Sequence, residues 1–305
     1  MYNNPSGSRP EKNTDGIVIQ MKYCVNSYSF GRYGAELGIY GMIEKAAELG
    51  FDGFEYVESG WMDVPDAELK KIAEAVRTAG LEPVNLCVGA DLINGSGGDL
   101  GSEVARVCRL VDKAALLGAP VMRHDVTSGV RGRKHGIGYQ SVLPRLAEGC
   151  GRITEYAASV GLRTMTENHG FYSQDADRVA SLIDAVDHDN FGVLLDLGNF
   201  MCADERPEIS SSKLAPYAFH VHAKDFLFKP GTEPSPGDGW FRTRGGNWLR
   251  GTVIGHGAAS IFQSVGMLKR SGYDGWLSVE FEGMEDNLDG IRLGLDNLRR
   301  FWSLA

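Results

Sequence analysis

One local pattern recurs along this chain and limits the folds it can adopt. An amphipathic helix that ends in glycine is followed each time by a short apolar strand and a polar loop. The helices end at Gly50, Gly80, Gly118, Gly161 and Gly272. Glycine just past a helix takes the left-handed conformation that ends the helix without steric penalty. Two units nearly coincide, LGFDGFEYVE (49–58) and SGYDGWLSVE (271–280), which indicates one supersecondary unit used repeatedly.

The pattern predicts eight strands in one sheet. They start near Tyr23, Phe54, Pro83, Pro120, Arg163, Phe191, Ala218 and Trp276. Helical segments separate them, so we expect parallel pairing through right-handed crossovers. An open doubly wound sheet has the same local pattern, but a dinucleotide-binding sheet carries GxGxxG after its first strand, and CVNSYSFGRYG lacks it. The sequence therefore predicts an α/β fold, a single-domain (β/α)₈ TIM barrel over residues 21–305.

Three segments fall outside the repeat. Residues 1–20 are polar and lack the apolar core of a signal peptide, so we expect a flexible N-terminal tail. The loop HDVTSGVRGRKHGIG after strand four and the long insertion at 225–257 after strand seven exceed ordinary connections. The insertion carries Trp240, Arg244 and Trp248. These residues suit a substrate wall or a subunit interface, and the sequence leaves both open.

Charge and cysteine content narrow the class of protein. The formal net charge is −9, whereas nucleic-acid-binding proteins carry a basic face. No apolar run approaches the roughly 20 residues of a membrane span. The five cysteines form no CxxC pair, so neither a disulfide framework nor a zinc knuckle is supported. We expect a cytoplasmic protein with reduced cysteines and with no nucleic-acid or membrane partner.

Metal-type ligands end four successive strands. These are Glu167 in TMTE, Asp196 in GVLLD, His222 in FHVH and Glu280 in WLSVE. Catalytic groups of such barrels lie at the carboxyl ends of the strands, and neighbouring strands are about 4.8 Å apart, so the four side chains can converge on one ion. Three carboxylates and one imidazole form a hard, oxygen-rich set. The sequence predicts one divalent metal ion, Mn²⁺ first, with Mg²⁺ or Co²⁺ as alternatives.

Six further side chains at or near strand ends are candidates for contact with a substrate. They are Glu58, Arg123, His124, His169, His220 and Lys224. His124 is a candidate second base or else a packed histidine. His220 either touches substrate hydroxyls or supports its neighbour. Glu58, which the internal repeat matches to Glu280, either lines the mouth of the barrel or forms a salt bridge.

Several motifs resemble the xylose-isomerase-like superfamily, which includes sugar isomerases, ketose 3-epimerases, inosose dehydratases and endonuclease IV. They are TENHG, LLDLGN, HVHAKD and GYDGWLSVEFEG. The resemblance implies that Glu167, Asp196, His222 and Glu280 bind the metal. It also implies that Glu167 and Glu280 act as acid and base on opposite faces of the substrate. Two features depart from the family: Asn199 stands where endonuclease IV has a ligand histidine, and the epimerases lack the insertion at 225–257.

The resemblance leaves three functions open. The first is a sugar isomerase or epimerase that abstracts a proton α to the carbonyl of a sugar or keto-sugar. The second is a lyase, either an inosose dehydratase or a C-glycoside deglycosidase α-subunit that cleaves a 3-keto-C-glycoside by β-elimination. The third is a non-catalytic sugar-binding barrel. A homo-oligomer and an assembly with a separate β-subunit, as such α-subunits form, are both compatible with the sequence.

Overall fold

The computed structural model describes residues 21–132 and 138–305. The tail predicted at 1–20 and part of the loop predicted after strand four lie outside the described residues. Within the described residues the strands are β1 (Lys22–Asn26), β2 (Gly53–Val57), β3 (Glu82–Val88), β4 (Val121–His124), β5 (Arg163–Glu167), β6 (Phe191–Asp196), β7 (Ala218–Ala223), β8 (Asp225–Lys229), β9 (Phe241–Arg242), β10 (Trp248–Thr252) and β11 (Trp276–Val279).

Eight of these strands close into a parallel barrel. Their order around it is β1-β11-β7-β6-β5-β4-β3-β2, and β2 pairs with β1 to complete the ring. Each of the eight predicted strand starts lies within one residue of an observed start. The predicted (β/α)₈ barrel is confirmed, and its carboxyl ends meet at one mouth because all eight strands run in the same direction.

The helices surround the barrel and follow its strands in the chain. They are α1 (Gly34–Glu48), α2 (Asp66–Thr78), α3 (Leu100–Leu117), α4 (Tyr139–Ser159), α5 (Ala176–Val186), α6 (Pro207–Leu214), α7 (Ile261–Ser271) and α8 (Asn287–Leu304). The five glycines that the sequence places after helices have φ between 73° and 83°. This is the left-handed region, as expected of helix ends.

Side chains alternate between the barrel interior and the helical layer. Val121 belongs to a small apolar cluster with Cys87, Met165 and Leu194, whereas Met122 packs in the large core formed with the helices. Because successive strand residues point to opposite faces, Arg123 shares the inward face with Val121, and His124 shares the outward face with Met122. This alternation decides which polar side chains reach the mouth of the barrel.

The insertion at 225–257 is partly regular, although the sequence analysis describes it as a loop. Strands β8, β10 and β9 form a three-stranded antiparallel sheet. The buried Asp225 carboxylate accepts backbone N–H groups from Phe226, Gly255, Gly257 and Ala259 at 2.8–3.0 Å. These bonds join the end of the insertion to its first residue, which follows β7 closely.

The sequence analysis supports neither a disulfide framework nor a membrane-spanning segment. All five cysteines are free, and four of them are buried. Among residues 21–132 and 138–305, no helix has both the length and the apolar character needed to cross a lipid bilayer.

Candidate metal centre

The four predicted metal ligands lie together at the mouth of the barrel. Glu167, Asp196 and His222 end or nearly end the neighbouring strands β5, β6 and β7, and Glu280 directly follows β11. One ligand atom from each lies within 4.8 Å of the others. They adjoin a cavity of ≈ 230 Å³ lined by Arg123, His169, Lys224 and Glu282 together with three of the four ligands.

Asp196 and Glu167 are held in place by neighbouring donors, which leave Asp196 Oδ2 without a hydrogen bond from the described residues. Asp196 Oδ1 accepts the backbone N–H groups of Gly198 and Asn199 at 2.8 Å, and no hydrogen-bond donor among the described residues reaches its buried Oδ2. Glu167 accepts Asn199 Nδ2 at 2.9 Å on Oε1 and meets Arg123 at 2.5 Å on Oε2. Asn199, which departs from the nuclease pattern, therefore serves here as a donor that orients Glu167.

A buried carboxylate that the sequence analysis missed orients His222. Glu55, from the middle of β2, has no exposed surface and lies 2.8 Å and 2.9 Å from His222 Nε2 through its two oxygens. Burial favours protonation of Glu55, but the imidazoles of His222 and His220 outweigh burial and hold its pKa well below the usual value. A charged carboxylate only accepts hydrogen bonds. His222 Nε2 therefore donates to Glu55, and Nδ1 faces the centre, 3.2 Å from Glu280 Oε2. Burial works against protonation of His222, but Glu55 and Glu280 raise its pKa well above the usual value.

Glu280 is held in its charged form by a lysine. Lys224 Nζ lies 2.8 Å from Glu280 Oε2, and Asn26 Nδ2 donates to Oε1 at 3.0 Å. Burial works against the charged carboxylate, but Lys224 and His222 keep the pKa of Glu280 well below its usual value. Burial likewise works against the Lys224 ammonium, whose pKa is nevertheless raised well above its usual value by Glu280, Glu282 and Asp196.

Arg123 and His169 form the opposite wall of the same cavity. The buried Arg123 guanidinium bridges Glu167 and Asp125, which lies at 2.9 Å. His169 Nδ1 lies 2.9 Å from Asp125, and its side chain is about half exposed at the mouth. Burial lowers the pKa of His169, but the hydrogen bond and charge of Asp125 raise it overall. The structure thus brings Arg123, His169 and Lys224 to the site.

Three predicted site residues lie elsewhere. His124, predicted to face the ion as a second base, points to the helical layer, where its ring lies 6.2 Å from that of Phe191; burial lowers its pKa to about 4. His220 is buried deeper in the barrel and contacts Glu55 at 3.2 Å, so it supports the centre instead of reaching a substrate. Glu58 accepts Gly89 N–H at 3.0 Å, outside the ligand cluster.

The donor set fits a divalent cation. Burial raises the pKa of Asp196 to about 7, Lys224 opposes this only in part, and the nearby Glu280 raises it further. Asp196 Oδ2, which accepts no hydrogen bond from the described residues and lies 3.6 Å from Lys224 Nζ, faces the same small space as His222 Nδ1 and Glu280 Oε2. A cation bound there would relieve the repulsion among three buried carboxylates, and oxygen-rich sets of this kind suit hard divalent ions.

Residues 43–301 match the model of the xylose isomerase-like TIM-barrel family. The chain belongs to this family.

Individual relatives are more distant. An inosose dehydratase from Lacticaseibacillus casei is 28% identical over 139 residues, which are 45% of this chain and 46% of the relative, so the match spans about half of that protein's length. D-psicose 3-epimerase from Clostridium cellulolyticum H10, solved with D-tagatose, superimposes with a TM-score of 0.72 at 17% identity, covering 92% of this chain and 99% of its own. A xylose isomerase-like TIM-barrel protein from Mycobacterium smegmatis in complex with magnesium gives 0.68 at 16% identity, covering 94% and 97%. At such identities the two structures support the fold alone.

Proposed function

We propose that this chain is a divalent-metal-dependent sugar isomerase or epimerase that removes and returns a proton on the carbon next to a carbonyl. The observation that carries the proposal is the placement of two carboxylates, Glu167 and Glu280, within one four-ligand cluster at the mouth of the barrel. Each is held by its own cation, Arg123 or Lys224. Two separately supported carboxylates can serve as base and acid in turn.

The contacts of Glu280 and Glu167 indicate which of them acts as the base and which as the acid. When bound, the divalent ion would polarise the substrate carbonyl and so acidify the neighbouring C–H bond. Glu280 acts as the base because Lys224 and His222 keep it ionised. Glu167, which β6 and β7 separate from Glu280 in the barrel, takes a proton from solvent and delivers it from another side, and Glu280 then releases the abstracted proton to solvent. General base catalysis contributes typically about 10²–10⁴-fold.

Two more side chains bind the substrate in this mechanism. Lys224 Nζ lies 2.8 Å from Glu280 and 3.0 Å from Glu282, and it donates a long hydrogen bond of 3.4 Å to Asn199 Oδ1. Its N–H can exchange that long bond for one to a developing oxyanion in the cavity. His169 stands at the mouth with its ring oriented by Asp125 and can donate to a sugar hydroxyl. Among divalent ions, Mn²⁺ fits three carboxylates and one imidazole better than an ion that prefers thiolates.

The proposal is tested by solvent exchange followed by NMR in D₂O. The protein is treated with EDTA and then assayed with and without added Mn²⁺ on ketohexoses and an inosose. We expect deuterium to enter the substrate only with Mn²⁺, an isomeric sugar to form, and exchange to be lost in Glu280→Gln. The matched control is Glu58→Gln, the same change two barrel strands away and outside the cluster. Absence of exchange with Mn²⁺ on every compound would overturn the proposal.

A lyase is the second candidate, favoured by the partial match to inosose dehydratase. Both reactions begin with the same proton removal, and they diverge when a β-substituent leaves before the proton returns. His169 is placed to donate to a leaving oxygen at the mouth of the cavity. A dehydrated product, or a free alcohol released from a glycoside in the same NMR assay, would favour the lyase over the isomerase.

A further inference from the structure

A cysteine thiol also borders the cavity at the metal centre. Cys87, near the end of β3, lines that cavity together with the ligands Glu167, His222 and Glu280. It is buried but not closed off, with an exposed fraction of 6%. The thiol does not belong to the four-ligand cluster. An ion that enters the mouth of the barrel can therefore meet sulfur as well as oxygen and nitrogen.

Cys87 and His222 direct their protons at one oxygen of Glu55. Cys87 Sγ donates to Glu55 Oε1 at 3.1 Å, and His222 Nε2 lies 2.8 Å from the same oxygen. One atom from each of the three residues lies within 4.8 Å of the other two. Burial and the charge of Glu55 raise the pKa of the Cys87 thiol, so the thiol keeps its proton. Two protons thus hold this triangle of sulfur, nitrogen and oxygen together.

A divalent ion can replace these two protons without changing the net charge of the barrel interior. Binding through Cys87 Sγ, His222 Nε2 and Glu55 Oε1 displaces the thiol proton and the Nε2 proton, which leave to solvent through the cavity. Two positive charges enter and two leave, so the exchange avoids the cost of burying an uncompensated charge. Water from the cavity can fill the fourth position of a tetrahedral site.

The distances in the triangle suit a small tetrahedral ion after a slight opening. Bonds of about 2.3 Å to sulfur and about 2.0–2.2 Å to nitrogen and oxygen place neighbouring ligand atoms about 3.4–3.6 Å apart. The pairs now at 2.8 Å and 3.1 Å would have to separate by about half an ångström. Glu55 itself is held in place by Asn85 Nδ2 and Ser278 Oγ, both at 2.7 Å.

The sulfur atom decides which ions this triangle prefers. Thiolates select soft ions, whereas carboxylates suit hard ones. The four-ligand cluster contains no sulfur, so the two sets of ligands differ in the ions that they favour. Glu55 also lies near Cys24 and His220, but neither of these lines the cavity. The set that contains Cys87 is therefore the one that an entering ion reaches.

We propose that Glu55, Cys87 and His222 form a second cation site, the thiol site, which takes thiophilic divalent ions such as Zn²⁺ and Cd²⁺ and competes with the metal centre. The two sites share His222, through Nε2 in the thiol site and through Nδ1 in the centre. An ion in the thiol site ends the hydrogen bond by which Glu55 orients the imidazole. It also places a second divalent charge one imidazole away from the centre. Occupation of the thiol site therefore releases the ion of the centre.

The test titrates Cd²⁺ into EDTA-treated, desalted protein and records the ultraviolet charge-transfer band of a bond between sulfur and Cd²⁺. We expect the band in the parent protein and its loss in Cys87→Ser, with Cd²⁺ bound at least about tenfold more weakly, because serine offers no sulfur. Mn²⁺ affinity should stay within about twofold in this variant, because the thiol is not a ligand of the centre.

Competition is read separately by electron paramagnetic resonance of the Mn²⁺-loaded protein. Added Cd²⁺ should release Mn²⁺ from the parent, and Cys87→Ser should need at least about tenfold more Cd²⁺ for the same release. These readouts involve no substrate, so they are independent of the proposed function.

The matched control is Cys108→Ser, which removes a more exposed thiol on α3, outside the site; it should keep the band. Cys24→Ser should also keep it, because Cys24 belongs to the set that does not line the cavity. Cys87→Ala replaces the serine variant if that variant unfolds, and circular dichroism monitors folding. The inference would be overturned by no band in the parent, by a band that survives loss of Cys87, or by loss of the band in either control. Equal release of Mn²⁺ from the parent and from Cys87→Ser would also overturn it.

Discussion

Replacing Glu55 by glutamine tests whether this buried carboxylate orients the metal ligand His222. Glu55 accepts hydrogen bonds from Ser278 Oγ and Asn85 Nδ2, both at 2.7 Å, as well as contacting His222 Nε2. Glutamine keeps the shape but replaces one acceptor oxygen by an NH₂ donor. A donor at this position faces donors already present, and it favours the tautomer of His222 whose proton is on Nδ1, the atom that faces the metal ligands.

The expected effect follows from the role of such buried partners. Loss of a carboxylate that orients a metal-binding histidine typically costs about 10–100-fold in metal affinity, or about 1.4–2.7 kcal/mol. The mismatch in hydrogen bonding adds a loss of roughly 1–3 kcal/mol in the free energy of unfolding of the metal-free protein. We therefore expect Glu55→Gln to bind Mn²⁺ weakly and to melt earlier.

The assay is calorimetric titration of the EDTA-treated protein with Mn²⁺, supported by circular dichroism. Glu58→Gln is the matched control, since Glu58 directly follows the same strand but contacts Gly89 instead of a ligand. It should bind Mn²⁺ as the unaltered protein does. A folded Glu55→Gln protein whose Mn²⁺ affinity stays within twofold of the parent would refute the assigned role of Glu55.

Three further predictions concern stability. The pKa of His124 is about 4 in the fold and about 6.5 when unfolded, so the stability gained from the neutral ring is complete above pH 6.5 and is lost as the pH falls towards 4. His124→Leu should remove roughly 3 kcal/mol of this pH dependence in urea denaturation and leave proton exchange intact; an unchanged slope would contradict it. Arg123→Met should lower the free energy of unfolding by roughly 3–5 kcal/mol, because Glu167 and Asp125 lose their cation; urea denaturation at pH 7 checks this, and no loss would contradict it. Asp225→Ala should speed proteolysis within 225–257, because four backbone N–H groups lose their acceptor; an unchanged cleavage rate would count against this anchoring.

The barrel and the four-ligand cluster are predictable from the sequence because both depend on position along strands. Glycine-terminated helices mark where strands begin, and parallel strands place their last residues at one mouth. All four ligands end, nearly end or directly follow a strand: Glu167, Asp196, His222 and Glu280. Their convergence therefore requires only the correct strand order, which right-handed crossovers supply.

Which face a side chain takes is harder to predict. The internal repeat matches Glu58 to Glu280. On β11, Ser278 and Glu280 point to the barrel interior, but on β2 the side chains that do so are Glu55 and Val57. Glu58 is therefore one residue out of phase with Glu280. The register shift between Phe54 and Tyr56 in the pairing of β2 with β3 is invisible in the sequence. A carboxylate inside the otherwise apolar strand GFEYV was the available signal for Glu55, since a charge buried there needs partners.

For His124 the structure favours the packed alternative over the second base, and the insertion contains strands that the sequence analysis does not predict. Arg123 and His124 are adjacent polar residues at one strand end, and only one of two successive side chains can face inward. The side chain that faces inward is Arg123, which pairs with Glu167 and Asp125. In the insertion, Asp225–Lys229 and Trp248–Thr252 pair across 18 intervening residues, a separation too long for the local patterns that reveal hairpins.

The central claim is that Glu167, Asp196, His222 and Glu280 together hold one divalent ion. It is tested most directly by Mn²⁺ titration of the EDTA-treated protein, with the stoichiometry read by calorimetry and electron paramagnetic resonance. The account predicts one Mn²⁺ per chain in the parent protein and loss of tight binding in Asp196→Ala, with the fold retained. A stoichiometry of zero, or full Mn²⁺ affinity in Asp196→Ala, would contradict it.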